Sequence, residues 1–133
     1  MSGPVQRVEL TGAAETLLHR LIAQHGPVMF HQSGGCCDGS SPMCYPRGEF
    51  RVGASDVLLG HLAADTPFWM SADQYDYWRH THLTVDVVPG RGSGFSLEAP
   101  EGVRFLIRSR LLTDEELAVL AAQPPPTGAD LPH

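Results

Sequence analysis

The chain has 133 residues, 42% of them apolar, which is enough for one compact domain with its own hydrophobic core. Its 9 basic residues, all of them arginine, stand against 15 acidic residues, and the formal net charge is −6. This acidic balance disfavours nucleic acid and anionic membrane surfaces as partners. The absence of lysine excludes Schiff-base chemistry and a phosphate-binding loop of the Walker type.

The cysteine content indicates the compartment and the chemistry. The sequence begins without the apolar segment of a secretory signal, and no run approaches the roughly 18 apolar residues of a membrane span, so we expect a cytoplasmic protein. Its three cysteines all lie within residues 36–44 and do not resemble a disulfide framework. Clustered thiols in a reducing compartment more often serve metal or redox chemistry.

The first half of the chain predicts one helix followed by short strands. Thr11 is placed to cap a helix over about residues 12–25, where leucines and an isoleucine recur at three-four spacing, and Gly26 with Pro27 ends it. The segment 33–42 is too rich in glycine, serine and proline for regular structure. Strands are predicted at residues 28–32, 49–52 and 56–62.

The second half predicts two further helices. Ser71, followed by Gln74 three residues later, is typical of a helix start and predicts a short helix to about Arg79. Thr113 with Glu116 forms a second capping box, for a helix through about Ala122.

The strands of this half are predicted from alternation and from turns. Residues 83–88 alternate apolar and polar side chains, and the glycine-rich turn 89–94 leads to residues 95–97, which predicts a hairpin. A further strand runs from Val103 through Ile107.

The order of these elements indicates the fold class. A helix, several short strands and a short terminal helix predict an α+β fold with a mostly antiparallel or mixed sheet. We expect one domain over residues 1–122 and a loose, proline-rich tail over residues 123–133.

A group of metal-binding residue types lies around the glycine-rich loop. Thiolate and imidazole ligands suit zinc, copper(I) or iron, and glycine lets a loop wrap an ion. Adjacent cysteines point to opposite sides of an extended segment, so Cys36 and Cys37 can share one ion only if the loop turns between them. The candidate ligands are Cys36, Cys37, Cys44, His31 and His80.

Other interpretations of these residues stay open. Cys36 or Cys37 can act instead as a redox centre or nucleophile whose pKa a nearby histidine lowers, or the cysteines can be buried packing residues. His80 and His82 flank Thr81 and share a side if that segment is extended. Of these two histidines, His80 is the stronger candidate for a metal ligand.

A concentration of aromatic residues precedes His80. We expect it to belong mainly to the core, and the alternative is that segment 68–78 is the contact surface of a non-catalytic binding module. The four residues are Trp69, Tyr75, Tyr77 and Trp78.

Three segments resemble one bacterial family. They are H-G-P-V-M-F-H-Q-S-G-G-C-C-D-G-S-S-P-M-C-Y-P at 25–46, Y-W-R-H-T at 77–81 and G-R-G-S-G-F-S-L-E at 90–98. On these motifs the chain resembles the domain-of-unknown-function 779 family over about residues 10–112. The resemblance implies an accessory role beside an aldehyde dehydrogenase. The chain itself lacks a nicotinamide-binding fingerprint and is too short to be that enzyme.

The layout also resembles, more distantly, the HesB-like A-type iron–sulfur carriers. The matching segments are S-G-G-C at 33–36, T-H-L-T-V-D at 81–86 and G-S-G-F at 92–95. This resemblance implies a HesB-like fold and an iron–sulfur cluster as an alternative cofactor. The carriers use a C-terminal Cys-x-Cys, and this chain has no cysteine after Cys44. Either Cys37 and Cys44 or the loop of a second chain in a homodimer would supply the missing ligands.

Together these features predict a small cytoplasmic metal-binding accessory protein whose cysteine-rich loop holds one soft or borderline ion.

Overall fold

The computed structural model describes residues 6–32, 40–48, 51–90 and 96–130, and within them it contains two sheets and three α-helices. The helices are α1 (Gly12–His25), α2 (Ala72–Trp78) and α3 (Asp114–Ala121). The strands are β1 (Val8–Leu10), β2 (Val28–Gln32), β3 (Met43–Pro46), β4 (Val57–Leu62), β5 (Thr66–Met70), β6 (Thr81–Pro89) and β7 (Val103–Leu111). This confirms the α+β class.

Both sheets are mixed. The four-stranded sheet has the order β3-β2-β5-β4, and the three-stranded sheet has the order β1-β6-β7. The β2–β5 and β1–β6 pairs are parallel, while the β2–β3, β4–β5 and β6–β7 pairs are antiparallel. None of the described helices is long and apolar enough to cross a bilayer.

Local sequence explains the predicted helices. The Thr11 hydroxyl accepts a hydrogen bond from the Ala14 amide at 3.2 Å, and α1 ends at Gly26, whose φ of 81° favours glycine. In the last helix, Thr113 and Glu116 form the predicted capping box, in which each side chain accepts the other residue's amide. The structure therefore confirms the predicted starts of α1 and α3.

An aromatic trio joins the two sheets in the core. Phe30 on β2 stacks on Phe68 of β5 with ring centroids 5.8 Å apart. It also meets Phe105 of β7 edge to face at 4.9 Å. All three rings are fully buried, and the buried face of α1 packs into the same cluster. The position of β2 therefore depends on both sheets.

Several strand predictions were wrong. Residues 51–52 are not in a strand, and residues 49–50 of the same prediction lie outside the described residues. Ser96 and Leu97 are in a turn and not in the strand predicted at 95–97, whose first residue lies outside the described residues, and β6 pairs with β7. β1, β3 and β5 were not predicted, because they are short and two of them contain proline, which is uncommon inside strands.

The segment expected to be a loose tail pairs with the start of β4 in its described part. Thr127 forms a bridge with Val57, and the Gly128 amide donates to the Asp56 carbonyl at 2.9 Å. Gly128 is buried, and a Cβ there would collide with the carbonyl oxygen of Gly53. The backbones of Gly128 and Gly53 therefore come too close for any residue other than glycine at position 128. The hydrogen bond from Gly128 also fixes the position of Asp56.

Candidate functional site

The register of the four-stranded sheet determines which predicted ligands share a face. Phe30 is paired with Cys44, and the next residue, His31, is paired with Met43 on β3 and Trp69 on β5. Side chains alternate along a strand, so His31 and Cys44 point to opposite faces of the sheet. His31 and Cys44 are therefore not placed on one face of this sheet, from which both could reach the same ion.

His31 is buried and paired with a carboxylate. Its side chain is only 4% exposed, and Nε2 lies 3.1 Å from Asp56 Oδ2. The same carboxylate oxygen accepts the Gly53 amide at 2.9 Å. Asp56 immediately precedes β4 and is held by its own backbone bonds to Gly53 and Gly128. This arrangement orients the His31 ring at the end of β2.

The pair lies at the sheet edge from which the cysteine-rich loop continues. β2 ends at Gln32, whose carbonyl accepts the Ser71 amide at 3.1 Å, directly after β5. Val57, next to Asp56, is paired with Met70, the last residue of β5. The ends of β2 and β5 and the start of β4 therefore lie together at this side of the sheet. The predicted ligands Cys36 and Cys37 follow in the sequence and lie outside the described residues.

Cys44 has a core environment. It is fully buried beside Phe30, and burial together with the nearby Glu98 carboxylate raises the pKa of its thiol far above the ordinary range. A thiol with a raised pKa stays protonated at neutral pH, whereas metal ligation and nucleophilic attack need the thiolate. Its surroundings therefore favour the packing interpretation for this cysteine.

A buried polar network surrounds Cys44, and sequence reasoning missed it. The Cys44 amide donates to Ser96 Oγ at 2.9 Å, and the Ser96 hydroxyl hydrogen-bonds to Glu98. The other oxygen of Glu98 accepts the Phe105 amide at 3.3 Å. Glu98 is 1% exposed, and burial raises the pKa of its carboxyl group. A glutamate between Leu97 and Ala99 carries no local signal of burial.

The two candidate histidines before β6 have different environments. His80 is exposed in the turn after α2 and lines a groove with Arg7 and Tyr75. His82 is buried, with Nδ1 2.8 Å from the Gln6 carbonyl and Nε2 3.0 Å from a Glu9 carboxylate oxygen. These contacts give His82 a structural role between β1 and β6.

The aromatic segment is only partly a surface. Trp69 and Trp78 are buried, as the core interpretation predicts, whereas Tyr77 is 67% exposed. The buried tryptophans do not offer the contact surface that the binding-module interpretation needs.

Nowhere in ranges 6–32, 40–48, 51–90 and 96–130 do three or more histidine, cysteine, aspartate or glutamate residues form a metal-binding group. Within these ranges we take the buried His31–Asp56 pair as the candidate functional site, because the strand that carries His31 ends at Gln32, immediately before the cysteine-rich segment in the sequence.

Residues 17–111 match the family described as Domain of unknown function (DUF779), and the chain belongs to this family. No curated protein and no solved structure matches the chain. The HesB-like resemblance is not confirmed.

Replacing Cys44 with alanine tests whether this cysteine takes part in metal binding. We expect Cys44→Ala to lower the free energy of unfolding by about 1 kcal/mol, through lost packing, and to leave metal stoichiometry unchanged. Urea unfolding and elemental analysis of the same preparation measure the two effects. A variant that lost one bound ion per chain while still folded would place Cys44 back among the ligands.

Proposed function

We propose that this protein is a metal-binding accessory protein in which His31, Cys36 and Cys37 hold one soft or borderline ion. The observation that carries the proposal is the buried His31–Asp56 contact at 3.1 Å. It lies at the end of the strand from which the chain continues into the cysteine pair.

The role of Asp56 follows from the chemistry of histidine ligands. A metal-bound histidine usually gives its second ring N–H to a carboxylate or carbonyl, which fixes the tautomer and makes the ligand more basic. Asp56, whose Oδ2 lies 3.1 Å from His31 Nε2, is the carboxylate that would take this part. Asp56 is itself oriented by the Gly53 amide, so the ring would meet the ion with little freedom to rotate.

Two thiolates and one imidazole favour zinc, copper(I) or iron. Three ligands leave one position of a tetrahedral ion for water, a recipient protein or a second copy of the chain. An iron–sulfur cluster normally takes four protein ligands, so that alternative requires a homodimer with two pooled loops.

Metal titration tests the proposal directly. Protein purified without oxygen would be titrated with Zn²⁺, Cu⁺ and Fe²⁺ and then analysed for bound metal after gel filtration. We expect one ion per chain, lost in Cys36→Ser and Cys37→Ser and kept in Cys44→Ala. Metal-free wild type that takes up none of the three ions at micromolar concentration would overturn the proposal.

Asp56→Asn tests the supporting carboxylate separately. We expect the variant to fold and to bind the same ion about 10- to 100-fold more weakly. The amide oxygen of the substituted side chain can still orient the His31 ring, but it lacks the negative charge of the carboxylate that makes the imidazole a stronger ligand. Competition with a chromophoric chelator measures the affinity. Asp65→Asn, an exposed change elsewhere on the chain, is the matched control. Equal affinity in wild type and Asp56→Asn would remove His31 from the site.

A thiol-dependent enzyme is the second candidate, and the same pair favours it. An imidazole held by a carboxylate is the arrangement that activates a thiol nucleophile or a redox cysteine. In that case Cys36 or Cys37 in metal-free protein would react with iodoacetamide as a thiolate well below the ordinary cysteine pKa of about 8.5. A normal titration of both thiols would exclude this candidate.

The partner and the location are proposed from the sequence. An aldehyde dehydrogenase partner rests on the family resemblance, and a cytoplasmic location rests on the cysteine pattern, three cysteines within residues 36–44 that do not resemble a disulfide framework. Co-purification of the enzyme with the tagged protein, compared with a tag-only control, tests the partner.

A further inference from the structure

A second candidate site lies away from the cysteine-rich loop, in a groove between α2 and α3. The groove has a volume of about 270 Å³. Its polar residues are Arg7, Tyr75, Arg79 and His80, and its apolar side is formed by α3. None of the described residues that line it belongs to β2 or β3.

The two arginines in the groove lack carboxylate partners. Arg7 donates to the Leu120 carbonyl at 3.0 Å, which places its guanidinium at the end of α3. The Arg79 guanidinium has no hydrogen bond or ion pair with any residue of the described ranges. No aspartate or glutamate is among the described residues that line the groove.

Three arginines elsewhere in this acidic protein are paired with carboxylates. Ion pairs of 2.8 Å join Arg20 to Glu101, Arg108 to Asp86 and Arg110 to Glu116. With 15 acidic residues against 9 basic ones in the sequence, a groove whose described lining contains two arginines and no acidic residue is a local excess of positive charge.

The rest of the lining indicates the class of anion. The Tyr75 hydroxyl has no hydrogen-bond partner among the described residues and is available to a ligand. Leu117 and Leu120 provide an apolar wall. A fully hydrated phosphate or sulfate would lose water against that wall without gaining a donor there. A carboxylate attached to a short hydrocarbon chain satisfies both sides of the groove.

We propose that this groove binds a small monocarboxylate, with the carboxylate between Arg7 and Arg79 and its hydrocarbon part against Leu117 and Leu120. The volume suits a ligand of metabolite size. This site is independent of the proposed metal site, because it uses neither His31 nor the cysteine-rich loop.

Calorimetric titration of the full chain with hexanoate tests the proposal. We expect saturable binding to wild type, weakened about tenfold or more in Arg79→Gln, which removes one charge-assisted contact. Arg51→Gln, which changes an exposed arginine outside the groove, is the matched control and should bind as wild type does. Hexanol and inorganic phosphate serve as probes that each lack one half of the ligand, and both should bind more weakly than hexanoate.

Each remaining outcome would overturn the proposal. Hexanoate without saturable binding, or equal binding in wild type and Arg79→Gln, would show that the groove does not recognise carboxylates. Phosphate binding as tightly as hexanoate would show that the apolar wall has no role. Leu117→Gln gives a second check, because it keeps both arginines and should weaken hexanoate without affecting phosphate.

Discussion

Replacing Phe30 with alanine is expected to lower the free energy of unfolding by about 4 kcal/mol, the largest effect of the substitutions considered. Phe30 is fully buried and contacts Phe68 and Phe105, one from each sheet. Alanine would remove both ring contacts and leave a cavity where the sheets meet. Since a domain of this size is stabilised by about 5–15 kcal/mol, a large share of its stability would be lost.

Urea unfolding followed by circular dichroism measures this effect. Phe30→Leu, which fills most of the volume, is expected to cost about 1 kcal/mol. Tyr77→Ala, at a side chain that is 67% exposed, should change stability by less than about 0.5 kcal/mol. If Phe30→Ala and Tyr77→Ala had equal effects, the aromatic trio would not be the junction between the sheets.

The second large effect is expected at Glu98. We expect Glu98→Leu to lower the free energy of unfolding by about 3 kcal/mol, because it leaves the Phe105 amide and the Ser96 hydroxyl buried without their partner. Glu98→Gln should cost less than about 1 kcal/mol, since its amide group can accept from Phe105 and donate to Ser96. Glu101→Gln, at a solvent-exposed ion pair, is the control and should change little.

The same residue predicts a pH dependence. Burial raises the pKa of Glu98, so the folded state binds the proton more tightly than the unfolded state. The resulting stabilisation is fully present below the unfolded pKa of about 4.3 and is lost as the pH rises through the folded pKa. The stability of wild type relative to Glu98→Gln should therefore fall as the pH rises from 4. A difference that did not vary with pH would contradict the raised pKa.

Local signals in the sequence were sufficient for several elements. The side-chain cap of Thr11 and the capping box at Thr113 involve residues three apart, so their geometry is determined within one helical turn. The alternating strand at residues 83–88 was also found, within β6. Its hairpin partner was misplaced because Ser96 and Leu97 lie in a turn, and the strand that pairs with β6 begins only at Val103.

The candidate site could be predicted only in part. The sequence indicates His31 as a candidate because it adjoins the cysteine-rich loop, but nothing local connects it to Asp56, 25 residues later. Likewise, Cys44 belongs to the same compositional cluster as Cys36, and only its pairing with Phe30 shows that it faces the core. Spacing along the chain does not specify the face of a sheet when the register is unknown.

The sequence by itself determined the α+β class, the family, the helix ends and the clustering of the cysteines within residues 36–44. The tertiary structure decided which of these residues meet: His31 with Asp56, Cys44 with the Ser96–Glu98 network, and Arg7 with Arg79 in one groove. The physical reason is how far apart along the chain the interacting residues lie. Caps and alternation are determined by neighbours a few residues apart, whereas strand register, burial and charge pairing depend on segments that come together only when the whole core packs.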